Sequence, residues 1–444
     1  MTASERIAAG KALRPIVPRS SHAHWHAVRG RTDARDILTR TAEGRLPHLV
    51  PIRNQRMSVS AFAFYRGAAA VMAADLATTA NTGLKVQACG DAHCLNFGAF
   101  ATPERRLVFD VNDFDETLPG PWEWDLKRLA TSLILAAREH TGLSNGDGEI
   151  AVLDAMRSYR TNMANFTQRS TLDVWYARID TDDVIANSSP ADRKRRQRMS
   201  ADARERSNRS AVEKLTVRSA DGTRRFKDEP PLLYHIPDDD GGFDVAAILA
   251  TYTQTLSAEV RFLFERYRLV DCALKVVGVG SVGTRCAIAL FVADDDDTLL
   301  LQIKEAVPSV LEQHVGTSVY RNHGERVVHG QRMMQTASDL FLGWASSGEH
   351  DFYVRQFRDM KASVDVTTMD GYQLREYAHY CALALAMSHA RSGDAATISG
   401  YLGKTDRFDK ALAQFALAYA DQTEYDFEEF TAAIKAGLLP VADV

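Results

Sequence analysis

Two short apolar runs that break off into acids and amides constrain this chain more than any other feature. Residues 84–89, LKVQAC, lead into Gly90-Asp91-Ala92-His93-Cys94-Leu95-Asn96. Residues 107–111, LVFDV, lead into Asn112-Asp113-Phe114-Asp115-Glu116. Both runs are mainly apolar, carry β-branched or aromatic residues and are bounded by Gly, Pro or Asn, so both read as buried strands. Carboxylates at adjacent strand ends meet in one cleft, as metal-assisted phosphoryl transfer requires. The competing reading is a pair of polar β-turns, with Asp and Asn chosen for turn geometry.

Spacing favours the cleft. Asp91 and Asn96 are five residues apart, the interval between base and metal ligand in a kinase catalytic loop. Seventeen residues after Asn96, Asp113-Phe114-Asp115 offers a second source of metal carboxylates. The form G-D-x-H-x-x-N, with His93 two after Asp91, resembles the catalytic loop of aminoglycoside and choline kinases. That resemblance implies Asp91 and His93 as catalytic residues, with Asn96, Asp113 and Asp115 at a metal. Which of Asp110, Asp113 and Asp115 bind it stays open at this level.

A chain of 444 residues is long for a single core, so two or three lobes are expected. With 45% hydrophobic and 25% charged residues a sizeable core forms and wholesale disorder is excluded. A net charge of -5 gives no global reason to expect nucleic acid or an anionic membrane as partner. The N-terminus lacks an apolar leader, and no run reaches the ~20 apolar residues of a membrane span. The five cysteines are odd in number and scattered, which suits reduced core thiols in a cytoplasm. Cys89, His93 and Cys94 suggest zinc, but no second ligand cluster with matching spacing follows.

Along the chain, residues 1–30 read as an extended basic arm and 33–43 as a short helix. The Ala-rich pattern from Ser60 predicts a buried helix to about Thr79. Arg53, Arg56 and Arg66 flank it; they pair with the acidic cluster, bind an anionic substrate, or are plain surface cations. Residues 124–140 and 149–168 predict helices, the first with Asp125 and Arg128 one turn apart and so placed for an ion pair. The run 192–209 is densely charged, without interleaved aromatics, and reads as a solvated helix or insertion better than as a nucleic-acid patch. Loops are expected at 230–231 and 238–242, and helices at 243–267, 374–389 and 408–438.

A second informative region begins at Ala273. It holds Gly278-x-Gly280-Ser281-x-Gly283, a G-x-G-x-x-G match that means little alone. A Rossmann loop precedes a helix, whereas a kinase glycine-rich loop is the turn of a β-hairpin. Residues 285–292 are strand-like, 294–297 make a turn and 299–304 form a third strand ending in Lys304, so the hairpin reading holds. Glycines let backbone close over phosphates, with Lys304 in reach of them. A helix expected over 322–336 presents Glu325, 21 residues after Lys304, to hold that Lys. Residues 351–357 read as a strand joining two lobes.

The motifs run in an order that starts with the catalytic loop and metal Asp, which a circular permutation explains, since packing does not depend on where the ends fall. Beyond single motifs, the chain resembles the bacterial family called domain of unknown function 2252. The resemblance rests on PRSSHAHW (18–25), LVPIRNQRM (49–57), FYRGAAAVMAADLA (64–77), CGDAHCLNFG (89–98), VFDVNDFDETLPGPWEWDLKRLA (108–130), KEAVPS (304–309), GERVVHGQRMMQ (324–335) and FYVRQFRDMK (352–361). It spans nearly the whole chain and implies a protein-kinase-like relationship.

The expectation is thus an α+β, two-lobed, protein-kinase-like fold, circularly permuted. Residues 1–57 form an N-terminal arm, 58–270 a helical catalytic lobe with a charged insertion near 192–209, 271–360 a β-rich nucleotide lobe, and 361–444 C-terminal helices on the catalytic lobe. ATP and Mg2+ are the expected cofactors, and a small-molecule hydroxyl the expected acceptor. Gly278, Gly280, Ser281, Gly283, Lys304 and Glu325 are the nucleotide residues. The rivals are a nucleotide-binding regulatory protein without turnover and an enzyme that transfers AMP to a protein.

Overall fold

A computed structural model describes residues 1–220, 222–235, 243–294, 297–357 and 360–442. The fold is mixed α+β. In chain order the strands are β1 (Lys85–Ala88), β2 (Phe97–Ala101), β3 (Leu107–Val111), β4 (Leu118–Pro121), β5 (Ile179–Asp180), β6 (Thr216–Arg218) and β7 (Arg224–Phe226). They continue with β8 (Leu233–His235), β9 (Arg268–Lys275), β10 (Cys286–Val292), β11 (Thr298–Ala306), β12 (Gly343–Ser347), β13 (His350–Gln356) and β14 (Ala362–Ser363).

The largest sheet has six strands in the order β12-β13-β11-β10-β9-β8, all paired antiparallel. Period-2 alternation gives it two buried faces. Ala287, Ala289 and Phe291 of β10, with Leu299, Leu301 and Ile303 of β11, face the helices Val245–Thr255 and Ala258–Phe264. Ile288, Leu290 and Leu300 face the short helix Asn208–Leu215. Helices from before residue 271 therefore belong to this sheet's core. The expected loop at 238–242 and part of the turn at 294–297 lie outside the described residues.

The larger core is helical. The Trp122–Glu139 helix is buried from Trp122 through Ala137 and is flanked by the helices Asn145–Phe166, Gly371–Ser392 and Arg407–Lys435. Two small sheets abut it: the pair β1-β4, and the four-stranded order β14-β2-β3-β5. The chain leaves the six-stranded sheet at β13 and then pairs β14 with β2, so the segment after residue 356 joins the two parts.

Three expectations need correcting. Residues 1–30 are not an extended arm. Thr2 and Glu5 form a capping box that starts the helix Ala3–Ala12, and Arg14 and Arg19 then donate to carbonyls of Gly400, Tyr401 and Leu402. The single helix expected from Ser60 is two, Ala61–Gly67 and Ala69–Leu76, broken at Ala68. The charged run forms the helix Pro190–Glu205, but it is not solvated throughout: Ala203 is buried, and the run continues into the helix Asn208–Leu215. Asn208 is buried and bonds both the N–H and the carbonyl of Leu300 and the Phe357 carbonyl. No helix among the described residues is long and apolar enough to cross a membrane.

Candidate active site

A cleft of about 490 Å³ opens between the two parts of the molecule. Its walls include Asp91, His93, Asn96, Asp113 and Asp115 on one side and Gly278, Gly280 and Ser281 on the other. Residues separated by almost two hundred positions in sequence thus share one cavity.

The loop after β1 owes its shape to Gly90. Its φ of +80° lies in the left-handed region, and a Cβ there would sit 2.4 Å from the Glu116 carbonyl oxygen. Asp125, on the Trp122–Glu139 helix, accepts from the backbone N–H of Cys89 (2.7 Å) and Gly90 (3.0 Å). One turn on, Arg128 donates from Nε (2.8 Å) to Asp91 Oδ1, and its Nη2, in ion-pair contact with the same oxygen (2.6 Å), donates to the Tyr65 carbonyl. The expected Asp125–Arg128 ion pair is absent, because each holds the loop instead. Asp91 is therefore fixed through one oxygen, and its other, Oδ2, lies 3.9 Å from His93 Nε2. Burial, with help from Arg66 and Arg128 and against the pull of Asp91, lowers the His93 pKa to about 4, so the ring is neutral. Its Nδ1 is buried and bonds nothing among the described residues. Asn96 Nδ2 donates to the carbonyls of Asp91 (3.0 Å) and Asp113 (3.1 Å), locking the two loops together and leaving the amide oxygen for a ligand.

Phe114 orients the second loop. It is 1% exposed in the helical core, which turns the flanking Asp113 and Asp115 toward the cleft. Lys304 of β11 and Tyr353 of β13 are cross-strand partners, so their side chains rise from one sheet face. Both reach Asp115: Lys304 Nζ at 2.5 Å to Oδ2, and the Tyr353 hydroxyl at 2.7 Å to Oδ1. Lys304 Nζ also lies 3.5 Å from Asp113 Oδ1. Burial opposes a charged Lys304, which is 2% exposed, but Asp113 and Asp115 outweigh it and raise its pKa. Asp113 is likewise held down, by Lys304, Arg355 and Lys361, against desolvation by the surrounding protein. Asp110 alternates to the opposite face of β3, toward Thr336 and Arg391, and burial pushes it up to about 6. It does not line the cleft.

Glu325 does not hold Lys304. Its carboxylate is 3.7 Å from His329, one turn along the same helix, His323–Met334. The next residue, Arg326, faces the site and donates to the carbonyls of Asp115 (2.8 Å), Thr117 (2.7 Å) and Val307 (2.9 Å). Sequence spacing found the helix and missed its inward face.

The glycine loop is the turn between β9 and β10, with Gly278 (φ +64°) and Gly283 (φ +94°) in the left-handed region. Arginines outside the sheet pin its carbonyls: Arg56 bonds Gly278 (2.5 Å), and Arg45 bonds Gly280 (2.9 Å) and Val282 (2.6 Å). The Gly283 carbonyl accepts from the Leu46 N–H. Residues 45–56 are therefore part of the site.

The donor set suits a hard divalent cation. Asp113 is 43% exposed and the Asn96 amide oxygen is uncommitted, whereas both oxygens of Asp115 are taken by Lys304 and Tyr353. Among the described residues no group of three or more His, Cys, Asp or Glu side chains is arranged to hold a metal. Mg2+ does not ask for such a cage, since one or two carboxylates plus substrate phosphates serve it.

A family model described as an uncharacterized protein conserved in bacteria (DUF2252) matches residues 45–433. Comparison with curated proteins and with solved structures gives no match.

Proposed function

The chain belongs to the uncharacterized bacterial family DUF2252, and from that premise we propose that it is a Mg-ATP-dependent phosphotransferase acting on a small-molecule hydroxyl. In this reading the frame is protein-kinase-like and circularly permuted. One observation carries it: the Asp91 loop, the Asp113–Asp115 loop and the glycine loop line a single cleft, with Lys304 tied to the acids.

The roles follow from the contacts. Arg128 holds Asp91 by Oδ1, so Oδ2 is the atom that orients the acceptor hydroxyl and takes its proton. Asn96 and Asp113 are the residues to hold magnesium, which supplies neutralisation of phosphate charge. Lys304 and Tyr353 set the position of Asp115 and, through it, of the whole loop. The glycine loop, braced by Arg45 and Arg56, keeps its backbone open to phosphates. Positioning and charge, with little covalent chemistry, suffice for such a reaction.

A second reading, a nucleotide-binding regulatory protein without turnover, draws support from the Asp91–Arg128 pair. There the carboxylate has a structural partner, and Arg128 uses one of its two oxygens.

Binding is the direct test. Mg-ATP should raise the melting temperature of the wild type by mass action. Lys304→Ala, referenced to its own nucleotide-free melt, should show a smaller shift. Calorimetry with no heat of binding to the folded wild type in the presence of magnesium would remove the proposal.

A further inference from the structure

Buried and half-buried arginines of this chain mostly sit against carboxylates or, like Arg326, donate to several carbonyls. Arg31 bonds Asp75 and Asp426, Arg128 bonds Asp91, and Arg160 bonds Asp409. Such pairing is what burial of a guanidinium demands. Arg53 and Arg66 break the pattern, and both line the cleft.

Arg53 is 2% exposed, yet among the described residues its only hydrogen bond goes to the Gly67 carbonyl, at 2.8 Å. Its Nε is buried with no acceptor. Arg66 has no hydrogen bond or ion pair among the described residues, and its Nε is also a buried orphan. A third orphan in the same cleft is His93 Nδ1. Arg66 is not in direct contact with Asp91, whose Oδ1 is held by Arg128; Asp91 and Glu139 act on Arg66 only from a distance. The helix Ala61–Gly67 that carries Arg66 is short and contributes no site of its own. Two guanidiniums and an imidazole, beside the carboxylate proposed as base, make a receptor for an anion of phosphate or carboxylate size.

We propose that Arg53 and Arg66 bind an anionic group carried by the acceptor, so that the substrate is a hydroxyl compound bearing a phosphate or carboxylate. This rests on the phosphotransferase reading, in which Asp91 faces the acceptor. The subsite holds the anion while Asp91 Oδ2 meets the hydroxyl. His93 adds its unpartnered Nδ1 as a further polar atom. Anchoring a remote anion is also how a small acceptor gains enough binding energy to be oriented for transfer.

The test uses the full-length protein, with inorganic phosphate and acetate as probes, followed by calorimetry with and without a saturating non-hydrolysable ATP analogue and magnesium. The expected result is that phosphate, acetate or both bind in the presence of the analogue, whose own γ-phosphate position is filled. Arg66→Gln should weaken that binding at least about tenfold and leave analogue affinity within about twofold. Arg66→Lys, which keeps charge without the planar fork, should fall between. Arg53→Gln removes a buried side chain, so it is read only after circular dichroism shows it folded. Anion binding that the analogue abolishes would overturn the proposal and assign the arginines to the γ-phosphate instead. Absence of anion binding with the analogue bound would overturn it and leave the phosphotransferase reading intact. Anion binding lost in Arg66→Gln, from a protein that binds no nucleotide, would keep the subsite and remove the phosphotransferase.

Discussion

Asp91 shows how much of this site depends on residues that carry no chemistry. Its position is set by Arg128 through Oδ1, by Asp125 through the amides of Cys89 and Gly90, and by Asn96 through its own carbonyl. Gly90 completes the set, because its backbone conformation and its approach to Glu116 both exclude a side chain. Gly90→Ala is expected to cost more than ~1 kcal/mol of stability, since the added methyl meets strain and a carbonyl together. Urea unfolding checks this, and an unchanged midpoint would show that the loop has room to relax. The same scale explains what spacing arguments reached. Asp91, Asn96, Asp113 and the glycines are legible because a short loop fixes their separation. Arg128, Tyr353 and Arg326 are not, because each reaches the cleft from a different element. A partial signal existed: Glu123, Asp125, Lys127 and Arg128 are charged residues at the start of a helix that continues as LATSLILAA, and charge inside such a helix needs a partner.

At the scale of elements, alternation and helical period located most of the pieces. The run 107–111 became β3, the hairpin around the glycine loop became β9 and β10, and 322–336 became the helix His323–Met334. What sequence did not convey is which element packs on which. The N-terminal stretch looked like an arm because its basic residues have no local partners, yet Arg14 and Arg19 bond carbonyls nearly four hundred residues away. The charged helix Pro190–Glu205 read as a solvated helix or insertion for the same reason, and most of it is exposed. It is tied down by the Arg196–Glu376 pair and buried Ala203, and just past its end by Asn208, whose amide satisfies backbone groups of Leu300 and Phe357. Asn208→Ala is therefore expected to cost about 1–3 kcal/mol, because it strands buried polar groups. The exposed Lys194→Ala should stay within about 0.5 kcal/mol of wild type. Denaturation midpoints separate the two, and equal midpoints would mean that the Asn208 bonds do not anchor the segment.

The whole molecule has a pH dependence with opposing parts. Burial lowers the His22 pKa to about 3 from 6.5, so the unfolded chain binds a proton that the folded one refuses. Stability owed to His22 is complete above 6.5 and is lost as pH falls toward 3. Glu116 and Asp110 work the other way, because burial raises them to about 7 and about 6 and the folded state keeps their protons longer. Wild type should thus change little across mildly acidic pH. His22→Phe, which removes one side of the balance, should gain on wild type by about 1.4 kcal/mol for each pH unit below 6.5. Parallel stability curves for the two proteins would show His22 to be protonated in the fold. The central claim, that this cleft transfers phosphate, stands on a different contrast. Asp91→Asn keeps shape and removes the charge that takes the acceptor's proton, while Asp113→Asn removes a metal ligand beside the phosphates. The decisive measurement is labelled-phosphate transfer from ATP into a cytoplasmic metabolite extract, run beside Mg-ATP binding for wild type and both variants. The account predicts transfer by wild type alone, with Mg-ATP binding kept in Asp91→Asn and its magnesium dependence weakened in Asp113→Asn. Equal transfer by wild type and Asp91→Asn, or tight Mg-ATP binding by wild type with no transfer at all, would contradict it.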